Sequence, residues 1–319
     1  MINLNQSIEL YKSVGPRNAD FLFPWLYKIY NKTYLTSILP DYVNQLALDK
    51  TKLTIFDVLV DDLADNSKIR NKRLLKEAIK IPMGNSNKYN EAYLNVTKTI
   101  WDDCIRSIKQ YPRYDEFKDI FFFDLDQVMN SMRYSFLINT SNFSNYQEDK
   151  MYLNHGVMVI LHCDMDLMCS PSFKYEELGK LRPILHYVQD IAHIGNMLNT
   201  YHKEIHEADF SSPIISMAIR EGLIDKNKVI QDPDYAYKRL EPLVLRFQER
   251  MENNLNKIKF LSNNINSINI NDFYERLKEV WNDFLNREKY WANTQNLHKK
   301  NKTLTINNRK TITTHWVRI

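Results

Sequence analysis

The apolar run over residues 56–65 has the sequence FDVLVDDLAD and ends in two aspartates that lie four positions apart. The run contains no basic residue that could neutralise them. On a helix, residues four apart lie on the same face, so Asp61 and Asp65 project side by side. Asp62 lies about 100° further round the helix. Two carboxylates on one face are suitable oxygen ligands for Mg²⁺. The pattern predicts either a metal-binding stripe or a solvated helix end.

A second oxygen-rich stripe is present far along the chain, at Asn196, Thr200 and Glu204. Eight residues rotate a helix by roughly 800°, so these side chains drift by only about 80° and stay on one face. An amide oxygen, a hydroxyl and a carboxylate are hard ligands, which suit Mg²⁺ better than zinc. The combination of the two stripes predicts a shared magnesium site more specifically than either stripe alone.

Together the two motifs resemble those of the bacterial class I terpene synthases. In that family a DDxxD motif and a motif of the form N-D-x-x-S/T-x-x-K/R-E flank the mouth of an all-helical barrel. The resemblance covers the chain from about Thr54 to the low 290s. It implies three Mg²⁺ ions, replaceable by Mn²⁺, that bind a prenyl diphosphate and release inorganic diphosphate. The implied metal ligands are Asp61, Asp62, Asp65, Asn196, Thr200 and Glu204.

Other positions follow from the same resemblance. Lys203 stands in the basic position before the glutamate and is expected to bind the diphosphate, whereas Met197 replaces an aspartate that is not a metal ligand in the family. Gly156 lies inside a helical pattern, where glycine costs about 1 kcal/mol relative to alanine. The family has a helix break near such a residue, with a carbonyl that faces the substrate cation. Gly156 is therefore expected to mark that break, with Tyr152 or His155 close to the diphosphate.

The chain departs from the family pattern at two places. Tyr152 stands where the family often has an arginine that senses the diphosphate, so this arginine is either missing or supplied from elsewhere, with Arg133 and Arg182 as candidates. No Arg-Tyr pair follows Trp291 at the expected spacing. The lysines of the C-terminal segment either supply that positive charge or form a basic tail: Lys299, Lys300 and Lys302.

Composition favours an all-α fold. Of the 319 residues, 44% are hydrophobic, and only 6 Gly and 10 Pro are present, too few for a fold with many tight β-turns. The predicted organisation is an irregular segment over 1–24, a class I terpene synthase-like helical domain over 25–297, and a basic tail over 298–319. This tail holds six of the 43 basic residues and none of the 39 acidic ones, which leaves the rest with a net charge of −2. Such a body is not typical of nucleic-acid-binding proteins.

Hydrophobic spacing and breakers predict the helices. A glycine or proline separates several of them, and Gly222 is predicted to end the helix over 213–219. The predicted ranges are 25–36, 41–48, 52–65, 74–80, 89–109, 114–138, 146–169, 183–206, 213–219, 234–261 and 270–296.

Three cysteines without CxxC spacing indicate reduced thiols and not a disulfide framework. The N-terminus lacks the basic and apolar regions of a signal peptide, and no apolar run of about 18 residues predicts a membrane span. These observations together favour a cytoplasmic protein without stable membrane insertion, as a monomer or a homodimer.

The expected function is a Mg²⁺-dependent terpene cyclase that ionises farnesyl or geranylgeranyl diphosphate and cyclises the carbocation. Metal ions stabilise the departing diphosphate, and aromatic ring faces stabilise the cation. Candidate aromatic liners are Trp25, Phe56, Tyr134 and Phe136. Two alternatives stay open, a prenyltransferase or head-to-head synthase, and a non-catalytic helical scaffold whose acidic helix binds no metal.

Overall fold

The computed structural model describes residues 1–84, 89–141, 145–207 and 209–285, and these ranges contain helices but no β-strand. The predicted all-α class is confirmed. The tail over 298–319, the tryptophan at 291 and the end of the predicted last helix lie outside the described residues. The α-helices of the described ranges are α1 (Leu4–Lys12), α2 (Ala19–Tyr30), α3 (Val43–Ala64), α4 (Lys72–Ala78), α5 (Ala92–Ile108), α6 (Tyr114–Thr140), α7 (Tyr146–Tyr152), α8 (Val159–Met168), α9 (Leu178–Glu207), α10 (Pro213–Arg220), α11 (Lys226–Gln231), α12 (Asp234–Ser262) and α13 (Ile270–Leu285).

The prediction of an irregular segment over 1–24 is wrong, because α1 and the first half of α2 lie there. Asn3 begins α1 with a capping box, in which its side chain accepts the Gln6 N–H at 2.9 Å and Gln6 accepts the Asn3 N–H at 2.9 Å. Ile8 and Tyr11 then bury one face against the core. Gly15-Pro16 separates the two helices, as a breaker does.

Helix α3 is the central helix of the fold and packs against α1, α2, α4, α5, α6 and α8. The polar run at 49–52 does not interrupt it, contrary to the predicted division into 41–48 and 52–65. Lys50 is buried and pairs with Asp166 at 2.5 Å, and buried Lys52 pairs with Asp103 at 2.7 Å. A charged side chain inside a core is tolerated when a partner neutralises it. Long-range ion pairs therefore keep this stretch helical.

The predicted single helix over 146–169 is interrupted where a break was expected. Helix α7 ends at Tyr152, a 3₁₀ turn covers Leu153–Val157, and α8 begins after Met158. Met158 has a left-handed backbone with φ of 54°, which is uncommon for a residue with a side chain. The turn packs against both α6 and α9. It therefore brings irregular backbone between two of the longest helices of the described chain.

The second half of the fold is built on α9, which packs against α8, α10, α12 and α13. Gly222 follows α10 with a left-handed φ of 72°, so the predicted glycine end of that helix is confirmed. The short helix α11 was not predicted from the sequence. Helices α6 and α8 and the 3₁₀ turn connect the half around α3 with the half around α9. Among the described residues, no helix combines the length and apolarity that crossing a bilayer requires.

Candidate functional site

A cavity of about 1060 Å³ lies between α2, α3, the 3₁₀ turn and α9. Both predicted stripes face it, although they are far apart in the sequence. The predicted site residues that line the cavity are Asp61, Asp65, Gly156, Asn196, Thr200, Lys203 and Glu204. Residues of each stripe thus lie on one face of their helix, and the fold brings the two faces to one cavity.

Asp62 is separated from its two neighbours in the first stripe. Its side chain is fully buried and does not line the cavity. Tyr11 donates its hydroxyl to Asp62 Oδ2 at 2.8 Å, and Arg17 Nε donates to Asp62 Oδ1 at 2.7 Å. Both carboxylate oxygens thus have protein donors, so Asp62 ties α3 to the N-terminal segment and does not fit the predicted role of metal ligand.

Arg17 is a site residue that the sequence analysis missed. It lies in the loop between α1 and α2, lines the cavity, and donates from Nη2 to Asp61 Oδ2 at 2.6 Å. The same nitrogen lies 3.9 Å from Asp65 Oδ1. Burial raises the pKa of Asp61, and the nearby guanidinium opposes that rise. Burial and the carboxylate of Asp61 raise the pKa of Asp65 well above its usual range.

The second stripe is preformed on α9. The Thr200 hydroxyl contacts the backbone carbonyl of Asn196 at 2.8 Å and makes a short hydrogen bond with Glu204 Oε1. Oε2 of Glu204 is buried and has no hydrogen-bond partner among the described residues. Burial, followed by the charge of Asp209, raises the pKa of Glu204 to about 7. Glu204 therefore contributes to the cavity lining a carboxyl group with one buried oxygen that no described residue hydrogen-bonds.

Asp209 lies between the two stripes and was not predicted as a site residue. It lines the cavity, and its charge raises the pKa values of Asp61, Asp65 and Glu204. Asp209 Oδ1 accepts hydrogen bonds from Asn139 Nδ2 at 3.0 Å and from Ser211 Oγ at 2.6 Å. The carboxylates of this region therefore repel one another, and a cation between them relieves that repulsion.

The donor set of the cavity fits Mg²⁺. Its candidate ligands are all hard oxygens, and one of them, Glu204 Oε2, is an orphaned acceptor. No group of three acidic, His or Cys side chains in the described ranges is gathered closely enough to hold a metal by itself. Mg²⁺ typically takes one or two carboxylates together with water and substrate phosphates. The two stripes supply such half-sites on facing helices.

The helix break contributes one predicted residue to the cavity and leaves two outside it. Gly156 lines the cavity next to Ser131, whereas Tyr152 and His155 do not line it. The Tyr152 ring packs against Tyr134, with ring centroids 5.1 Å apart. His155 lies beside Gln189 and His186.

The two arginines that were candidates for sensing the diphosphate also lie outside the cavity lining. Arg182 forms a bidentate pair with Asp124 at 2.7 and 2.9 Å, and Arg133 donates to Asn130 on the exposed side of α6. Neither of them lines the cavity. Arg17 pairs with the carboxylates of the first stripe, and it comes from the segment predicted to be irregular.

One wall of the cavity is apolar. Of the four predicted aromatic liners only Trp25 lines it, since Phe56 packs in the core against Trp101 at 5.1 Å. The wall consists of side chains from α2, α3, α9 and α12: Phe21, Leu22, Trp25, Leu26, Ile29, Val58, Met197 and Met251. An apolar wall beside an anionic end is the arrangement that an amphiphilic ligand requires.

No protein-family model matches this chain, and no curated protein is significantly similar to it. The functional assignment therefore depends on the geometry of the cavity and on the chemistry of the residues that line it.

Proposed function

We propose that this protein is a Mg²⁺-dependent class I terpene cyclase that acts on a linear prenyl diphosphate. One observation carries the proposal. Two oxygen stripes, Asp61 with Asp65 and Asn196 with Thr200 and Glu204, face one cavity that also has an apolar wall. A prenyl diphosphate has the same division into a polyanionic head and a hydrocarbon chain.

In this proposal Mg²⁺ is held by Asp61, Asp65, Asn196, Thr200 and Glu204. When bound, it supplies Lewis-acid stabilisation to the departing diphosphate. Lys203 lines the cavity beside the second stripe and provides positive charge for the phosphate oxygens. Arg17 neutralises Asp61 and Asp65 in the free protein, and its guanidinium is within reach of a diphosphate bound at the same end.

The apolar wall has a separate role in the proposed reaction. The allylic cation left after ionisation must be kept from water, and buried apolar side chains exclude water from a site. Trp25 adds a ring face, which stabilises a nearby cation by about 0.5–2 kcal/mol. Gly156 and Val157 of the 3₁₀ turn line the same cavity, and a backbone carbonyl of this turn would offer partial negative charge to the cation.

The experiment that tests this function uses purified protein with geranyl, farnesyl and geranylgeranyl diphosphates, with and without Mg²⁺. Hydrocarbon products are identified by mass spectrometry, and released diphosphate is measured separately. A cyclic terpene formed only with Mg²⁺ supports the proposal and gives the chain length. Glu204→Gln is expected to abolish product, whereas Asp126→Asn, the same loss of one charge at an exposed position of α6, is expected to leave it unchanged.

Other outcomes favour the alternatives. Condensation of two prenyl diphosphates into a longer chain indicates a prenyltransferase or head-to-head synthase. Absence of diphosphate release from all three substrates, together with a Glu204→Gln protein that behaves like wild type, contradicts the cyclase and favours a scaffold.

A further inference from the structure

A second cavity of about 500 Å³, named the basic pocket below, lies between α7, α10 and α12. It shares no lining residue with the first cavity. Residues 1–297 carry a net charge of −2, so a concentration of cations on this part of the chain is a local feature. Among the described residues, the lining of the basic pocket has the single acid Glu249 and five basic side chains: Lys150, Arg220, Arg246, Arg250 and Lys257.

Two of the five cations in the basic pocket are already paired with carboxylates. Arg246 Nη1 donates to Glu221 Oε2 at 2.7 Å, and Arg250 Nε donates to Asp190 Oδ2 at 2.8 Å. The first pair is exposed at the rim, whereas the Asp190 carboxylate is buried. These two arginines therefore add little net charge to the empty pocket, although their guanidinium groups line it.

The other three cations supply the positive charge of the basic pocket. Lys257 Nζ lies 5.0 Å from the centre of the Tyr187 ring, a contact that leaves its charge unneutralised. Lys150 and Arg220 form no ion pair with another residue in the described part of the chain. Against Glu249 these three cations leave an excess of two positive charges. Such an excess matches a dianion.

The lining of the basic pocket also has an apolar part. Phe247 and Met217 line it and are 4% and 5% exposed, and the amide of Asn253 adds hydrogen-bonding groups. A cavity of this volume lies in the range of small-molecule sites and exceeds what a phosphate group alone fills. A phosphate ester carries a charge of about −1.5 to −2 at neutral pH, and arginine binds its oxygens in a bidentate manner.

Hydrogen bonds connect the basic pocket with the first cavity through Asp190 on α9. Asp190 accepts from Arg250 and from Asn254 Nδ2 at 2.5 Å on the side of the pocket. It also accepts from Asn154 Nδ2 of the 3₁₀ turn at 2.8 Å. Oδ1 of Asn154 lies 2.6 Å from Nδ1 of His193, and His193 lines the first cavity. Four side chains thus link the two cavities without a gap in hydrogen bonding.

We propose that the basic pocket is a second ligand site, which binds a phosphate monoester with an apolar or aromatic body and is linked to the first cavity through Asp190. The phosphate group pairs with Lys150 and Arg220, and the body packs on Phe247 and Met217. An anion beside Arg250 competes with Asp190 for the guanidinium, which changes the hydrogen bonds that Asp190 makes. This site goes beyond the proposed function and does not depend on it.

Binding is tested with phenyl phosphate, titrated into metal-free protein in EDTA at about pH 8, where the ester is a dianion. We expect saturable binding by calorimetry. Inorganic phosphate and inorganic diphosphate lack the apolar body and are expected to bind too weakly to measure under the same conditions. Absence of phenyl phosphate binding overturns the site, and inorganic phosphate that binds equally well overturns the class of ligand.

Three variants locate the bound ester. Lys150→Gln and Arg220→Gln are each expected to weaken phenyl phosphate binding by about fivefold or more, because each removes a charged phosphate partner. Lys259→Gln is the matched control, since Lys259 is exposed on α12 and does not line the basic pocket, and it is expected to bind like wild type. Thermal unfolding checks that each variant is folded. Affinities that are unchanged in Lys150→Gln and Arg220→Gln overturn the site.

The link to the first cavity is tested by NMR of isotope-labelled histidine, with the His193 signals assigned from a His193→Asn variant. Burial lowers the pKa of His193 to about 4, so the ring is neutral at the pH of the experiment and its signals report its hydrogen bonds. Saturation with phenyl phosphate is expected to shift the His193 signals. His162, buried on α8 outside this set of hydrogen bonds, is the control and is expected not to shift. Unchanged His193 signals in the saturated protein overturn the link.

Discussion

Arg17 Nη2 lies 2.6 Å from Asp61 Oδ2, and this ion pair joins the loop before α2 to the acidic end of α3. The same guanidinium holds buried Asp62 through Nε at 2.7 Å. One arginine thus serves as counter-ion to a cavity carboxylate and to a structural one. A metal ion that binds Asp61 competes with Arg17 for the same oxygen.

Replacement of Arg17 by glutamine is expected to destabilise the metal-free protein. The change leaves buried Asp62 with Tyr11 as its remaining donor, and unpaired buried charge is costly. Because Arg17 is partly exposed, we expect a loss of about 1–3 kcal/mol in the free energy of unfolding. Chemical denaturation in EDTA measures this loss.

Magnesium is expected to rescue that variant. A divalent cation at Asp61 and Asp65 replaces the missing positive charge, so Mg²⁺ should raise the Tm of Arg17→Gln more than that of wild type. Lys12→Gln removes a nearby exposed cation and is the matched control, with wild-type behaviour expected. Equal Mg²⁺-induced shifts in Arg17→Gln and wild type contradict competition between the guanidinium and the metal.

The neighbours Asp61 and Asp62 are expected to differ in function. Asp62→Asn replaces one of two buried acceptor oxygens by an NH₂ group and removes the charge that pairs with Arg17, so it should cost about 2–4 kcal/mol of stability, yet preserve Mg²⁺-dependent diphosphate release. Asp61→Asn should lower that release by about 100-fold or more with a smaller effect on folding. Steady-state rates and denaturation curves of the two variants separate these roles, and a reversed pattern contradicts the assignment.

Glu204 is expected to make the metal-free protein less stable as the pH rises. Its pKa is raised in the folded protein from 4.5 to about 7. Between these values the folded state binds more protons than the unfolded state. Protonation of Glu204 therefore contributes to the free energy of unfolding in full below pH 4.5, and this contribution is lost as the pH rises through about 7. Without metal, Glu204→Gln should match wild type at pH 4.5 and exceed its stability by about 1–3 kcal/mol at pH 8.

Denaturation in EDTA at the two pH values measures this difference. Glu249→Gln, the same substitution at an exposed position, is the control. For this variant we expect the difference in free energy of unfolding from wild type to be the same at both pH values. An advantage of Glu204→Gln that is larger at pH 4.5 than at pH 8 contradicts the buried, charged state of Glu204.

Gly156 is expected to be sensitive to a single methyl group. A Cβ at this position meets Ser131 Oγ at 3.0 Å, closer than an ordinary contact. Gly156→Ala should therefore cost about 1 kcal/mol, and Ser131→Ala in the same chain should recover part of that loss by removing the hydroxyl. A double-mutant cycle by denaturation measures the coupling, and fully additive effects contradict the close approach.

Local patterns in the sequence were sufficient to predict the helix faces. The i, i+4 spacing of Asp61 and Asp65 and the longer stripe from Asn196 to Glu204 each need only helical geometry, and both line the cavity. The break near Gly156 was expected from the family resemblance, since a glycine inside a helical pattern does not by itself predict a break. The helix end at Gly222 followed from its position after an apolar run.

Residues that depend on long-range contacts were not predictable in this way. The predicted division of α3 into 41–48 and 52–65 was wrong because Lys50 and Lys52 are buried within the helix by ion pairs with Asp166 and Asp103, which lie on distant helices. No local sequence pattern marks Arg17 as a site residue, because its contacts with Asp61 and Asp62 depend on how the loop after α1 packs. Asp57 lies in the same run as Asp61, but only the fold shows that its buried Oδ1 has no hydrogen-bond partner among the described residues.

Titration calorimetry of inorganic diphosphate is the most direct test of the shared site. We expect diphosphate to bind wild-type protein with Mg²⁺ and not with EDTA, and to bind Asp61→Asn and Glu204→Gln at least tenfold more weakly, a difference of about 1.4 kcal/mol. The double variant should lose less than the sum of the single losses, since both residues act through one bound complex. Diphosphate binding that is independent of Mg²⁺, or unchanged in both single variants, contradicts a metal–diphosphate site between α3 and α9.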